Sequence, residues 1–284
     1  MKFAFIEQHR TEFSVVQMCE LLAVSSSGFY AWLERKPGRR EQENRELTEQ
    51  IHVLHQRSRQ TYGSPRIHAD LQAMGHQVSR KRVARLMREA GIQARRKQGY
   101  KVTTKRNEAH TVAPNLLAQD FHAEAVNETW VADITYIGTR EGWLYLAAIL
   151  DVYSRKIVGW SMSTRLQKQL VEDALKMAVG RRDIPQGLRH HSDQGSQYTS
   201  HDFLKLLTQH GIQVSMSGAG NCYDNAMMES FFATLKTECV TGIFDTRQQA
   251  RQTIFDYIEV WYNRLRRHSA LGYLSPEQYE QRAA

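Results

Sequence analysis

Three carboxylates attract attention because each sits where ordinary folding gives little reason for a charge. Asp133 interrupts the strand-like run Trp130-Val131-Ala132-Asp133-Ile134-Thr135-Tyr136-Ile137. A central strand has no structural need for an acid, and burying one unpaired is costly. Asp193 ends a second strand-like segment in His190-His191-Ser192-Asp193-Gln194-Gly195, the kind of Gly-containing strand end where α/β sheets place ligands. Glu229 falls in the first turns of a long helix opening near Tyr223, off the stripe formed by Met227, Phe231 and Leu235. Hard oxygen donors from two strands and a helix suit Mg²⁺, or Mn²⁺, better than zinc. A pair of such ions activates an attacking water or 3′-hydroxyl and stabilises the leaving oxygen of an in-line displacement. Without metal, converging carboxylates raise one another's pKa. Taken singly, each residue has an ordinary reading, as a turn or edge Asp or a surface Glu.

The elements that must position them change in period along the chain. Apolar residues Val15, Met18, Leu22, Phe29, Trp32 and Leu33 fall at helical spacing around Ser25-Ser26-Ser27, predicting two or three short helices with a serine N-cap. Pro37-Gly38-Arg39-Arg40 reads as a linker, and a polar helix over about residues 41–58 carries Leu47, Ile51 and Leu54 on one stripe. Pro65 opens a helix through Leu71; Ser79 caps Arg80–Ala90 and Gly91 closes it. Val83, Leu86, Met87 and Ala90 form that helix's buried side, with Arg80, Lys81, Arg82, Arg85 and Arg88 around the rest. This second pair is the better helix-turn-helix candidate. Its basic face is either a DNA-contacting surface or a solvated one. The tract from Arg95-Arg96-Lys97 to Lys105-Arg106 reads as a basic connector following DNA.

From about residue 125 three strands follow as a meander: Thr129–Ile137, Trp143–Val152 and Lys156–Ser163. A helix (Leu166–Val179), a strand (Leu188–Ser192), a helix (His201–His210), a strand (Ile212–Met216) and the helix near Tyr223 complete the pattern. That order implies a mixed α/β sheet, antiparallel then parallel, covered by helices and preceded by an all-α region. The expected divisions are a small helical segment over residues 1–36, a helix-turn-helix-like domain with connector over 41–106, and a catalytic core with helical tail over 120–284.

Composition agrees with a basic module joined to a neutral one. Residues 1–110 carry 21 Lys+Arg against 11 Asp+Glu, a net of +10; residues 111–284 carry 17 against 19, a net of −2, and the two sum to the total of +8. Basic helices point to a polyanion partner. The apolar run Leu144–Leu150 is far too short to cross a membrane, and the three cysteines, Cys19, Cys222 and Cys239, form no C-x-x-C pair. A reducing, cytoplasmic setting is expected.

Spacing joins the three acids. Between Asp193 and Glu229 lie 35 residues (229 − 193 − 1), and Lys236 follows Glu229 by seven. This resembles the D,D(35)E signature of transposases and retroviral integrases. Trp130–Ile137, His191–Ser200, Ser217–Glu238 and Tyr262–Pro276, with the YGSPRI and VSRKRVARLMREAGI segments, resemble orfB-encoded transposases of the insertion-sequence-three family over nearly the whole chain. The resemblance implies a ribonuclease-H-like, integrase-type core whose first and fourth strands are neighbours. It implies Asp133, Asp193 and Glu229 as catalytic metal ligands, and Lys236 at DNA near the scissile end. The implied reaction cleaves element ends and joins 3′-hydroxyls without a covalent protein–DNA intermediate. Implied partners are the terminal inverted repeats, target DNA, further copies of the chain on DNA and an upstream-frame product; the setting is the bacterial nucleoid. Arg80, Lys81, Arg82 and Arg85 are the DNA-binding candidates on the capped helix.

His191 and Asn225 stand as candidates behind the ligands. His191 alternates onto the face of Asp193, where it either tunes a metal-bound water or simply packs. Asn225 either supports Glu229 from four residues earlier or opens the helix. The tail Tyr262-Asn263-Arg264-Leu265-Arg266-Arg267-His268 either grips DNA or caps the core, with Tyr257, Val260 and Trp261 expected in the core. His52 and His55 evoke the His-His-Cys-Cys zinc module of retroviral integrases, but no cysteine pair follows. Three rival readings fit the residues less well. A tyrosine recombinase needs an H-x-x-R element, which none of the twelve histidines provides. A nuclease on the same core and a non-enzymatic DNA-binding regulator leave the combined matches unexplained.

Overall fold

The computed structural model describes residues 1–36, 38–95, 113–117, 121–218 and 225–283. Contacts divide the chain into two compact units, Met1–His52 and Val53–Ala284. In the first, α1 (Lys2–His9), α2 (Val15–Leu21) and α3 (Ser26–Leu33) bury Ile6, Met18, Cys19 and Phe29 together. Ser25 caps α3, its hydroxyl accepting the Gly28 N–H at 3.0 Å. Trp32 remains 36% exposed, stacking on Phe29 from the rim of this small apolar cluster. The expected linker at residues 37–40 is shorter than its composition suggests. Helix α4 (Arg39–Arg57) starts at Arg39, aided by Arg39–Glu43 and Glu41–Arg45 pairs one turn apart. Pro37 and the basic tract beyond Arg95 lie outside the described residues.

In the second unit, α5 (Ser64–Ala73) and α6 (Arg80–Glu89) pack together, burying Ile67 and Leu71 against the Val83, Leu86 and Met87 side of α6. Pro65 stands in the first turn of α5, and the Ser79 hydroxyl accepts the Arg82 N–H at 3.2 Å. The paired helices and their caps follow the sequence expectation.

Five strands form one sheet in the order β3-β2-β1-β4-β5, with β1 (Thr129–Thr139), β2 (Gly142–Asp151), β3 (Ile157–Ser163), β4 (Arg189–Ser192) and β5 (Gln213–Met216). The first three are antiparallel neighbours; β1–β4 and β4–β5 are parallel. The first and fourth strands are thus adjacent, as the resemblance implies. One face of the sheet packs on α7 (Lys168–Arg181) and α8 (His201–Gln209) through Trp130, Ala132, Ile149, Leu175, Phe203 and Leu207. Gly159 is required there: a Cβ would sit 2.3 Å from the Ala174 carbonyl oxygen, so a side chain on β3 would push α7 away. Residues of the opposite parity in β1, Asp133 among them, face the other layer, where α9 (Ala226–Glu238) and α10 (Arg247–Phe255) pack.

After α10 the chain widens into a π-helical turn, Asp256–Tyr262, followed by a 3₁₀ turn at Ser269–Leu271 and α11 (Pro276–Ala283). The wider turn sends Tyr257, Ile258, Trp261 and Tyr262 inward but leaves Val260 48% exposed. Val260 was expected in the core from 3.6-residue spacing; the extra residue per turn rotates it out.

Candidate active site

Asp133 lies midway along β1, paired across the ladder with Ala148, and its carboxylate accepts the N–H of Ile134 at 2.7 Å. Asp193 directly follows β4, so parallel pairing of β1 with β4 sets the two acids on neighbouring strands. The Asp193 carboxylate accepts the Gly195 N–H at 3.0 Å. A Cβ at Gly195 would come within 2.9 Å of that same oxygen, so glycine lets the turn close around the acid. Both acids are half-buried. Burial pushes the Asp133 carboxyl up to about 8, with the Asp193 and Glu229 charges adding to the rise against the Ile134 N–H and Lys236. Burial likewise raises Asp193, opposed by the Gly195 N–H. These are acids held in one another's field with too little positive charge to settle them.

Helix α9 brings the remaining candidates to the same side. Asn225, the residue before the helix, is buried and donates from Nδ2 to the Ala132 carbonyl at 3.2 Å, pinning the start of α9 to β1 beside Asp133. Glu229 is exposed in the first turn. Lys236, two turns on, is half-buried; burial lowers its pKa while Asp133 pulls it up. Among the described residues, no three His, Cys, Asp or Glu side chains are gathered tightly enough to hold a metal ion. Asp133 and Asp193 thus lie on neighbouring strands, and Glu229 is exposed on α9.

His191 lies on the expected face but is buried, its Nδ1 at 2.8 Å from the Ser215 hydroxyl across the β4–β5 pair. The DNA-binding candidates stand apart on α6: Arg80, Lys81 and Arg85 are exposed, Arg82 is half-buried, and Arg85 lies 3.7 Å from Glu89. The tail has residues on both sides: Arg264 and Leu265 are exposed, while others turn inward. The Asn263 side chain donates to and accepts from the backbone of Ile157, both at 2.9 Å, and Arg266 and His268 are buried.

Sequence reasoning missed Tyr198, whose buried hydroxyl lies in the field of both Asp133 and Asp193; its pKa is driven up chiefly by burial. It also missed Asp151, an equally strange acid at the end of β2. Asp151 accepts N–H groups from Asn127 at 2.7 Å and Ser154 at 2.9 Å. The spacing Asp151-x-x-Ser154 was the available signal, a carboxylate closing its own turn. Asp151 gathers the Asn127 and Ser154 N–H groups, the Ser154 hydroxyl and Arg182 at 3.9 Å, whereas Asp133 accepts the single N–H of Ile134 among the described residues.

A mixed sheet in this strand order, with two half-buried acids on its adjacent parallel strands, defines an integrase-type core of the polynucleotidyl transferase class. Models of the integrase core domain match residues 123–222 and 229–283, and a model of an HTH-like domain matches residues 41–100. The chain belongs to the family of IS3 insertion-sequence transposases. It is 45% identical over 283 residues to "Transposase InsF for insertion sequence IS3A" of Escherichia coli (strain K12), covering 99% of this chain and 98% of that protein. It is 47% identical over 272 residues to the "Insertion element IS600 uncharacterized 31 kDa protein" of Shigella sonnei, covering 94% of this chain and all (100%) of that one. Among solved structures, a simian T-cell lymphotropic virus intasome in complex with PP2A regulatory subunit B56 gamma aligns at 15% identity and a TM-score of 0.48, covering 81% of this chain and 74% of that one. The catalytic core domain of BIV integrase aligns at 17% and 0.43, covering 55% and 95%. These structural likenesses are distant and add nothing to the topology already described. Among the described residues, no helix is long and apolar enough to cross a membrane.

Proposed function

We propose that this transposase cuts DNA at the terminal inverted repeats of its element and joins the freed 3′-hydroxyls to target DNA. Asp133, Asp193 and Glu229 would be the catalytic metal ligands. The observation that carries this reading is the Asp133–Asp193 pair on adjacent parallel strands, with Asp133 pushed up to about 8 by burial and by its neighbour. Their chemistry fits a hard divalent cation, magnesium with manganese as the alternative: both are oxygen donors, half-buried, and short of positive charge. What such a cation supplies when bound is activation of the attacking oxygen and stabilisation of the leaving one. The protein's own part is to hold the two aspartates fixed through the Ile134 and Gly195 N–H groups, and to present Glu229 from a helix anchored by Asn225. Lys236 puts a point charge in the field of Asp133, where a DNA phosphate would approach.

Under the same reading Arg80, Lys81, Arg82 and Arg85 contact DNA from α6, within a helical domain over residues 41–106. Residues 1–36 form a separate helical module and 120–284 the catalytic part. Two element ends must be held together, so the active form would be a homo-oligomer on DNA, with the upstream-frame product as a further partner. It would act in the bacterial cytoplasm, on the nucleoid.

The test is an in vitro reaction of the purified chain with duplexes carrying the element's ends, with and without Mg²⁺. Metal-dependent nicking at the element boundary and strand joining are expected. Asp133→Asn, Asp193→Asn and Glu229→Gln should each abolish both steps while DNA binding survives. Strand transfer retained by any of the three removes that residue from the site.

A further inference from the structure

Two consecutive arginines in the C-terminal tail point to different elements. Arg266 enters the core, its Nη2 donating to Oε1 of Glu238, the last residue of α9, at 2.7 Å. Arg267 turns toward α5. Its Nε donates to Asp70 at 2.5 Å, its backbone N–H donates to the Tyr62 hydroxyl at 2.7 Å, and its carbonyl accepts Arg66 Nε at 3.0 Å. One residue thus commits its N–H, its carbonyl and the Nε of its guanidinium to the segment containing the helix-turn-helix-like pair, while its Nη1 holds the Tyr273 carbonyl at 2.8 Å. A second link runs parallel to the first: Arg95, just beyond α6, reaches the Thr237 carbonyl near the end of α9 at 3.4 Å.

We infer that Arg267 and Asp70 are positioning residues that fix which DNA phosphate is cut. They hold the α5–α6 pair at a set place relative to the helix that presents Glu229 and Lys236. This rests on the function proposed above. If α6 holds one stretch of the element end and the carboxylates cut another, the number of nucleotides between them is a property of the joint between the two parts. That joint is made here by Arg267 on one side and Arg266–Glu238 on the other. Glu238 and Glu229 are nine positions apart on α9, about 13.5 Å along a rigid helix. A tilt at the Glu238 end therefore moves the active-site end as well.

The chemistry of the joint suits registration more than cohesion. The α5–α6 pair has its own apolar contact through Ile67, Leu71, Val83 and Leu86. The Asp70–Arg267 pair sits at a partly wetted rim, with side chains 22% and 15% exposed. A partly exposed ion pair adds little to stability, but charged hydrogen bonds converging on one guanidinium fix direction.

The test uses the full chain, duplexes carrying the element's ends and Mg²⁺, with nicks mapped to single nucleotides. Asp70→Ala and Arg267→Ala should keep end affinity within about threefold of wild type. The share of cuts at the wild-type phosphate should fall at least tenfold relative to its neighbours. The exchanged pair Asp70→Arg with Arg267→Asp should recover most of that share, a rescue that a loss of general stability would not give. Amide hydrogen exchange without DNA provides a readout independent of catalysis. In the single variants, amides at Thr237–Cys239 and along α5 should exchange at least tenfold faster, while those of α7 stay unchanged. Cuts kept at the same phosphate in the same share would overturn the inference. If the wild-type chain makes no metal-dependent cut, the proposed function fails on its own, and unchanged exchange in both variants overturns the joint separately.

Discussion

The two ends of α9 carry acids with opposite fates. Glu238, at the C-terminal end, is buried and receives Arg266 through Nε and Nη2, the Tyr257 hydroxyl at 2.9 Å and the Trp261 indole N–H at 3.4 Å. Burial pushes its pKa up, but the Arg266 guanidinium outweighs this and holds it below the usual carboxylate value. Glu229, in the first turn, is exposed, and its charge is felt by Asp133, which shares its field with Asp193. Where a buried charge serves the fold, the chain surrounds it with donors. Where acids face chiefly one another, the missing charge has to come from outside. Under the function proposed above, that contrast separates the structural acid from the catalytic ones where burial does not.

The largest effect that would break the contrast concerns activity. Asp133→Asn keeps the shape of the site and removes one negative charge, so metal-dependent cleavage should fall by at least about 10⁴-fold while the urea midpoint does not drop. A midpoint that fell with the activity would place Asp133 in the same class as Glu238. Next in size is the other side of the comparison. Arg266→Ala strands Glu238 in the interior, and removing one partner of a buried pair costs on the order of 3–5 kcal/mol, read from chemical denaturation.

Titration sharpens the comparison further, because the two kinds of buried group act with opposite signs. Burial, with His191 adding, pushes His190 down to about 3. Between pH 6.5 and 3 the unfolded chain binds a proton that the folded one refuses, so this group's stabilisation is lost as pH falls through that window. Asp133, pushed up to about 8, does the reverse: between pH 8 and 3.8 the folded state holds a proton the unfolded one has released, and stability rises as pH falls. In metal-free protein the two slopes offset each other between about 6.5 and 3.8. Asp133→Asn should unmask the histidine, giving a loss of about 1.4 kcal/mol per pH unit below 6.5. Urea titrations at pH 7, 6 and 5 in EDTA would show it; a flat response would mean His190 is not held neutral.

Much of this was legible in the residues. Alternation located all five strands within a residue or two, the serine caps at Ser25 and Ser79 form as expected, and the Asp193–Glu229 interval selected the acids. What escaped depends on partners far away in sequence. Glu238 looks like any helical surface acid until Arg266, 28 positions on, folds over it. Asp133 and Asp151 look alike as strand acids, and only the local turn around Ser154 tells them apart. Val260 was misplaced because 3.6-residue spacing does not foresee a π-helical turn.

The smallest expected effect gives the narrowest test of the contrast on α9. Glu229→Gln removes an exposed charge from the first turn of a helix, where the N-terminal dipole favours an acid by about 0.3–1 kcal/mol at the surface. No described hydrogen bond or ion pair with another side chain ties Glu229 to the fold. The substitution should therefore cost no more than about 1 kcal/mol in denaturation, against the several expected when Glu238 and Arg266 are parted. A cost above 1 kcal/mol would show Glu229 serving the fold as Glu238 does, and the division between the two ends of the helix would be lost. A small cost together with abolished strand transfer would put the two functions of the helix at its two ends.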